Sequence, residues 1–335
     1  MRRGCIAMQI NPSILNAKYI YLDWNVIKYM KEPRLDKGDL DNRFKDMIFR
    51  LKGKYKMPYS MAHIKDRANN YKSEYYDKVK EDFDFAETIN DMLCLGIHDA
   101  SPVIVQESMM KCFNDYITEP EKKLSIKDED MICSFNVDMT RMDISHPMYD
   151  FFKSHGGRYS AQNMGIFLKE MYASIFEDVS RYKILREYIK KMDLKNNFNQ
   201  AYSLGEKIML DRLLYHMFSF LDSFKDDEET LIKKWPKIAE KWFSLNNEYV
   251  GSDLLLIQGY TLLDMHPLFN DKLKKGKNTL DNIIRDGNHC FYASKGQYFV
   301  SEDAYTRKKT AFLYAAYDIK TKVVSEAEFL NYFDF

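Results

Sequence analysis

Hydrophobic and polar positions along the chain fall into two styles. Near the start, Tyr19-Ile20-Tyr21-Leu22 is a short apolar run closed by Asp23, and Trp24-Asn25 leads straight into the helical run Val26-Ile27-Lys28-Tyr29-Met30. A buried strand that ends in an acid, with a helix behind it, predicts a βα unit. Over residues 41–52, Phe44, Met47, Ile48 and Leu51 recur at helical spacing. Ser60 is a good N-cap for a helix opening at Met61-Ala62-His63-Ile64. The same style returns late in the chain. It predicts a helix over 279–294, a strand over 297–301, a helix to about Tyr317, a strand over 322–325 and a last helix over 326–333.

Between about 80 and 270, long helical periodicities dominate, most clearly over 160–192, 201–224, 228–245 and 252–265. No linker or repeat of 20–50 residues interrupts this block. The organisation expected is therefore an α/β domain made of residues 1–79 and 276–335, with a large all-helical insertion over 80–275. Strands that alternate with helices predict a parallel sheet flanked by helices.

Composition narrows the function classes. The 335 residues carry 50 Lys+Arg against 50 Asp+Glu, which excludes a globally basic nucleic-acid binder but not a local basic face. Only 13 Gly and 8 Pro exclude collagen-like or turn-dense all-β architectures. Cys5, Cys94, Cys112, Cys133 and Cys290 are scattered, without a CxxC, so a zinc ribbon or thioredoxin-type site is not expected and a reducing cytosol is. No apolar run reaches the roughly 18 residues of a membrane span. The expectation is a soluble cytoplasmic protein with no membrane partner. G-x-G-x-x-G, G-x-x-x-x-G-K-[ST] and H-E-x-x-H are all absent from the sequence.

In parallel sheets the working site lies beyond the carboxyl ends of the strands. That rule selects Asp23, which ends the first strand, and Asp303, which follows the strand at Tyr298. Asp66 stands three residues after His63, and Asp286 three residues before His289, so each acid shares a helix face with its histidine. Acids crowded at one edge raise each other's pKa, and a divalent cation relieves that conflict. Oxygen ligands suit Mg²⁺ or Mn²⁺. The expected metal ligands are Asp23 and Asp303 first, then Asp286 as a ligand or as an anchor behind them, with Asp66 orienting an attacking water. All four acids are the catalytic candidates. Asn25, His63, His289 and Ser301 are candidate hydrogen-bond donors behind the ligands, or plain caps and helix-packing groups.

Several of these stretches resemble PIN-like nucleases. Tyr19 to Ile27 looks like their opening strand with its D-x-N motif. Arg285-Asp286-Gly287-Asn288-His289, followed by Ser301-Glu302-Asp303, is similar to their closing half, an Asp on a helix and then a [ST]-x-D turn. Val323 to Leu330 resembles their last strand and helix, and Pro58 to Asp66 a segment of some bacterial members. Two departures are Trp24, where a small residue is usual, and Asp66, where Glu is more common. The resemblance covers about 19–75 and 278–333. It implies a metal-dependent endonuclease, a ribonuclease before a DNA nuclease, with toxin or antiphage defence as the setting the family suggests.

Substrate phosphates need cations. Lys52, Lys54 and Lys56 precede Asp66, Arg307, Lys308 and Lys309 follow Asp303, and Lys272, Lys274, Lys275 and Lys277 lie where the insertion ends. Residues 271–320 hold ten Lys/Arg against six Asp/Glu. Trp24, Tyr55 and Tyr59 are candidates for stacking on single-stranded bases, or core residues. Two other readings stay open. One is an inactive PIN-like module that binds nucleic acid or a partner without cleaving. The other is a helical interaction protein in which the insertion does the work, through a protein partner or a second copy.

Overall fold

The computed structural model describes residues 18–69, 71–98, 101–118, 133–146, 148–161, 178–191, 219–244, 250–270 and 280–333. In chain order its elements begin with strand β1 (Ile20–Leu22) and helices α1 (Trp24–Lys31) and α2 (Gly38–Leu51). Then come β2 (Tyr59–Ser60), α3 (Met61–Ala68), α4 (Tyr76–Asn90), β3 (Leu93–His98), β4 (Ser101–Gln106) and α5 (Met109–Thr118). The middle carries β5 (Cys133–Asn136), α6 (Tyr149–Ser154), β6 (Arg158–Ala161), α7 (Val179–Lys191), α8 (Glu228–Ser244) and α9 (Ser252–Met265). The chain closes with α10 (Leu280–Ala293), β7 (Tyr298–Val300), α11 (Ala304–Ala316), β8 (Lys322–Val324) and α12 (Glu326–Leu330). Two compact units form. The first takes residues 1–120, 249–260 and 284–335; the second takes 121–248 and 261–283.

The first unit is mixed α/β, with a small parallel sheet flanked by helices. β7 lies between β1 and β8, all parallel, with Ile20 opposite Tyr298 and Val300 opposite Val324. All three residues of β1 are buried, as a strand covered on both faces requires. A parallel bridge from Tyr19 to Lys56 leads toward β2, which pairs parallel with β3, and β3 pairs antiparallel with β4. Phe44, Met47 and Ile48 of α2 turn one helical stripe into a core that also holds Val26 and Met30 of α1 and Phe329 and Leu330 of α12. One cation ties several of these elements. Arg34 bonds Asp41 of α2 at 2.5 Å, Glu302 after β7 at 2.8 Å and Glu326 of α12 at 2.5 Å.

The stretch over 80–275, expected to be all-helical, contains four strands among its described residues. Val103-Ile104-Val105 is a β-branched run that pairs with β3 as a hairpin, and β5 pairs antiparallel with β6. Residues 158–161 are strand where a helix over 160–192 was expected. The rest of the expected helices over 160–192 and 201–224 falls mostly outside the described residues, as do Lys272, Lys274, Lys275 and Lys277. In the second unit, Phe220, Trp235 and Phe269 are fully buried, and Tyr182 donates to Asp264 at 3.0 Å. No described helix is long and apolar enough to cross a membrane.

Candidate metal centre

The parallel register builds the site. The N–H of Asp23 donates to Val300 O at 2.9 Å, and that of Ser301 to Val324 O at 3.1 Å. Asp23 and Ser301 therefore leave β1 and β7 side by side, and Ser301 Oγ donates to Asp23 Oδ2 at 2.7 Å. An Asp at the N-cap of a helix ordinarily accepts from its own helix. Asp23 does not; it has extended backbone (φ −64°, ψ 152°) and no side-chain capping bond. Its carboxyl is directed to the site. Asp303 does cap its helix, Oδ1 accepting from the Thr306 N–H at 2.8 Å, and Asp303 is exposed.

Asp66 comes from α3. Ser60 Oγ accepts from the Ala62 N–H at 3.2 Å, and His63 Nδ1 accepts from the Ser60 N–H at 3.0 Å, a reciprocal cap with histidine in the role usually taken by Glu. The other ring nitrogen, Nε2, donates to Leu22 O at 2.8 Å. These bonds fix one neutral tautomer. Burial, then the neighbouring His289, pushes the His63 pKa down to about 3. His63 therefore acts as a strut between β1 and α3 and has no bond to the site carboxylates among the described residues.

His289 is the centre of the cluster. Its Nε2 lies 2.8 Å from Asp66 Oδ2 and its Nδ1 2.8 Å from the Tyr21 hydroxyl, which in turn lies 2.6 Å from Ser60 Oγ. Arg285, one turn earlier on α10, donates to Asp66 Oδ1 at 3.1 Å. Ligand atoms of Asp23, Asp66 and His289 all lie within 4.8 Å of one another.

The charges are mutually coupled. Burial, aided by Asp66 and Asp303 and opposed by His289 and Ser301, raises the Asp23 pKa. Burial and then Asp23 push half-buried Asp286 well above the carboxylate range, with Asp66 and Asp303 adding to it. Burial would also raise Asp66, but His289 first, with Arg285, outweighs it and holds it low. Burial would lower His289, yet the surrounding acids, Asp66 first, raise it. Four acids thus face two cations. A divalent ion suits that excess, and the donor set fits one: two carboxylates and an imidazole. The oxygen-only set of Asp23, Asp286 and Asp303 expected from sequence is not the tightest group; His289 and Asp66 replace Asp286 and Asp303 in it.

No family model, curated protein or solved structure matches the chain.

The remaining sequence candidates scatter. Asn25 is exposed on the first turn of α1. Lys56 pairs with Tyr19, ahead of β1, which puts it at the amino edge of the sheet, away from Asp23. Lys52, nearby in sequence, bonds Asp91 at 2.7 Å and Thr88 O at 2.6 Å, and Lys54 lies over the Tyr55 ring at 5.5 Å. Parallel pairing is the reason: residues that enter a strand lie opposite the edge where the acids leave it. Arg307 does reach the right edge, donating to Ser301 O at 2.7 Å, and Lys308 is exposed beside it. Lys309 is 1 % exposed and lies over the Tyr260 ring at 5.0 Å, so it is a core cation and not a surface phosphate ligand. Tyr59 is buried and Tyr55 packs on Phe333.

Sequence reasoning missed Tyr21 and Arg285. Tyr21 had a signal, as the central side chain of a buried strand that carries a hydroxyl. Arg285 had one too, four residues before His289 on the same helix face.

Proposed function

We propose that this chain is a metal-dependent phosphodiesterase, a PIN-like endonuclease acting on RNA ahead of DNA, in a toxin or antiphage defence setting. The observation that carries this reading is the convergence of Asp23, Asp66 and His289 within 4.8 Å at the carboxyl edge of a parallel sheet. Asp286 and Asp303 are electrostatically coupled to that group. Asp23, Asp66 and His289 would hold the ion. An imidazole among the donors favours Mn²⁺ over Mg²⁺. When bound, such an ion would lower the pKa of a coordinated water and neutralise charge on a phosphodiester. The chain's own residues do the rest. Ser301 orients Asp23, and Arg285 orients Asp66. Asp286, which burial and Asp23 hold above the carboxylate range, stands beside the group as the candidate general acid. Arg307, at the same edge, is available to a substrate phosphate.

The experiment is cleavage of RNA, single-stranded DNA and duplex DNA with Mn²⁺, with chelator, and with Asp23→Asn. Activity is expected with Mn²⁺ alone; activity that persists through both the chelator and the substitution sinks the reading. One observation favours a second reading. Both oxygens of Asp66 already carry hydrogen bonds, from Arg285 and His289, as in a module that binds nucleic acid without cutting it. Calorimetric titration with Mn²⁺ separates the two, since the binding module takes up no ion at this group.

A further inference from the structure

Beside the centre, wholly within the first unit, lies a cleft of about 220 Å³ between α1, α3 and α4. Trp24, Ile27, Lys28 and Lys31 line it from α1, at the spacing of a single helix face. That stripe runs from an aromatic to two cations. Phe85 stands on the α4 side. The Trp24 indole is half-buried and held by T-shaped contacts with Phe83 at 5.9 Å and His63 at 6.3 Å, so it is positioned before any ligand arrives.

The cleft is positive in a chain of net charge zero. Asp82 is shared by two cations, Lys31 at 2.5 Å and Arg67 at 2.8 Å. Lys28 and Lys78 are exposed and have no carboxylate partner among the described residues. Four cations against Glu32 and Asp82 leave two positive charges. The remaining acid of the wall, Asp66, is already matched by Arg285 and His289. Asp66 also belongs to the proposed ion-binding group, so the cleft opens directly onto it.

A fixed aromatic face flanked by unpaired cations is what a single strand needs, because a base stacks on a ring while its phosphates meet lysines. Pockets that bury drug-sized ligands run about 300–1,000 Å³, so this smaller cleft suits one ring system and not a stacked pair. Bases inside a duplex are not available for that contact. We infer that the cleft seats one unstacked base of a single-stranded polynucleotide against Trp24, with Lys28 and Lys78 on the flanking phosphates, and so selects single strands over duplex. The inference deepens the phosphodiesterase reading and rests on it for where the strand is cut, but binding itself requires no metal.

The test is fluorescence anisotropy of the full chain in chelator, with labelled oligo(U), oligo(dT) and a duplex of each. Single strands are expected to bind at least about 10-fold more tightly than duplex. Lys28→Ala with Lys78→Ala is expected to weaken single-strand binding. It should also flatten the slope of log K against log salt by about 1.4, two phosphate contacts at roughly 0.7 each. Trp24→Leu is expected to weaken binding on the order of 10-fold with the slope unchanged, the loss of one stacked base. The lysine pair is exposed, so that arm does not depend on folding. Unchanged affinity and slope in the lysine variant, equal or tighter binding of duplex, or no binding by the natural chain each overturn the inference. Binding as expected but no cleavage with Mn²⁺ leaves the cleft standing and removes the phosphodiesterase. Cleavage of duplex that is indifferent to Trp24 and the lysines does the reverse.

Discussion

One hydroxyl joins three parts of the site. Tyr21 lies between Ser60, which caps α3, and His289, which holds Asp66. Burial pushes the Tyr21 pKa well above the phenol range, so the group stays neutral. With no ion bound and His289 neutral, the phenol donates to Nδ1 and Nε2–H donates to Asp66; holding an ion on Nε2 would require the other tautomer, with Nδ1–H donating to the phenol. With His289 protonated, Nδ1–H donates to the phenol, which turns its own proton to Ser60 Oγ. The chain of bonds therefore accepts a proton without moving a heavy atom. Tyr21→Phe keeps the ring's packing and leaves two buried polar atoms short of a partner. It is expected to cost about 1–3 kcal/mol in urea unfolding. It should also lower cleavage more than the stability loss explains, because His289 is no longer aimed. Wild-type stability and activity in Tyr21→Phe would remove the relay.

At the scale of elements, helix spacing and strap-like ion pairs position that residue chemistry. A Cβ on Gly287 would meet Ile257 O at 2.8 Å and Tyr260 Cβ at 3.3 Å, so α10 approaches its neighbour only because this position is glycine. Gly287→Ala is expected to lower stability by about 1–3 kcal/mol, as overpacking does, read as a fall in thermal midpoint. It should also weaken Mn²⁺ uptake, since Asp286 and His289 flank the displaced turn. The Arg34 strap gives a pH signature. Burial, then Glu302, pushes the Glu326 pKa up to about 8, and buried Glu326 Oε1 has no hydrogen-bond partner among the described residues. The folded state then binds more protons than the unfolded one between about 4.5 and 8. Its stabilising share is complete below the unfolded value and is lost as pH rises through 8. Asp41 and Glu302 run the other way. Burial opposes their ionisation, but bonds from Arg34 hold both below the carboxylate range, and their share is lost only as pH falls through those depressed values. Glu326→Gln is expected to flatten the decline in stability above pH 4.5 while keeping the acid limb, measured by denaturation at a series of pH values. An unchanged alkaline slope would contradict the assignment.

This scale also shows what could be read from the chain. β1, α2 and β7 were legible because each buries a contiguous apolar run or a clean helical stripe, and β8 because its two valines stand between a turn and the Ser325 cap. The carboxyl-edge rule then selected Asp23 and Asp303 without a homologue. The hairpin β3–β4 was less visible, because its strands follow a helical pattern over 76–90 and only Val103-Ile104-Val105 breaks that rhythm. Ion pairs such as Arg34 to Glu326, 292 residues apart, leave no local trace at all. Nor does the difference between Lys52, tied at the sheet's amino edge, and Lys28, open to the cleft. Lys28 lies in α1 and Lys52 directly after α2, and nothing in their local sequence tells which edge of the sheet each reaches.

Over the whole molecule, charge balance conceals sorting. Fifty basic and fifty acidic residues cancel, while acids gather beyond β1 and β7 and cations gather in the adjoining cleft. A neutral isoelectric balance is therefore compatible with nucleic-acid binding that weakens steeply as salt rises. The order of the strands has one more consequence. β7 fits between β1 and β8, and Ser301 touches Asp23 across 278 positions of chain. On the ribosome, β1 emerges and waits, its neighbour β7 still unmade, until the residues between them have been translated. A product truncated by premature termination would have Asp23 but no His289, Ser301 or Asp303. If the intact chain cuts nucleic acid, its own messenger is safe from a copy that stops before His289, because the residues from there to Asp303 are what arm it.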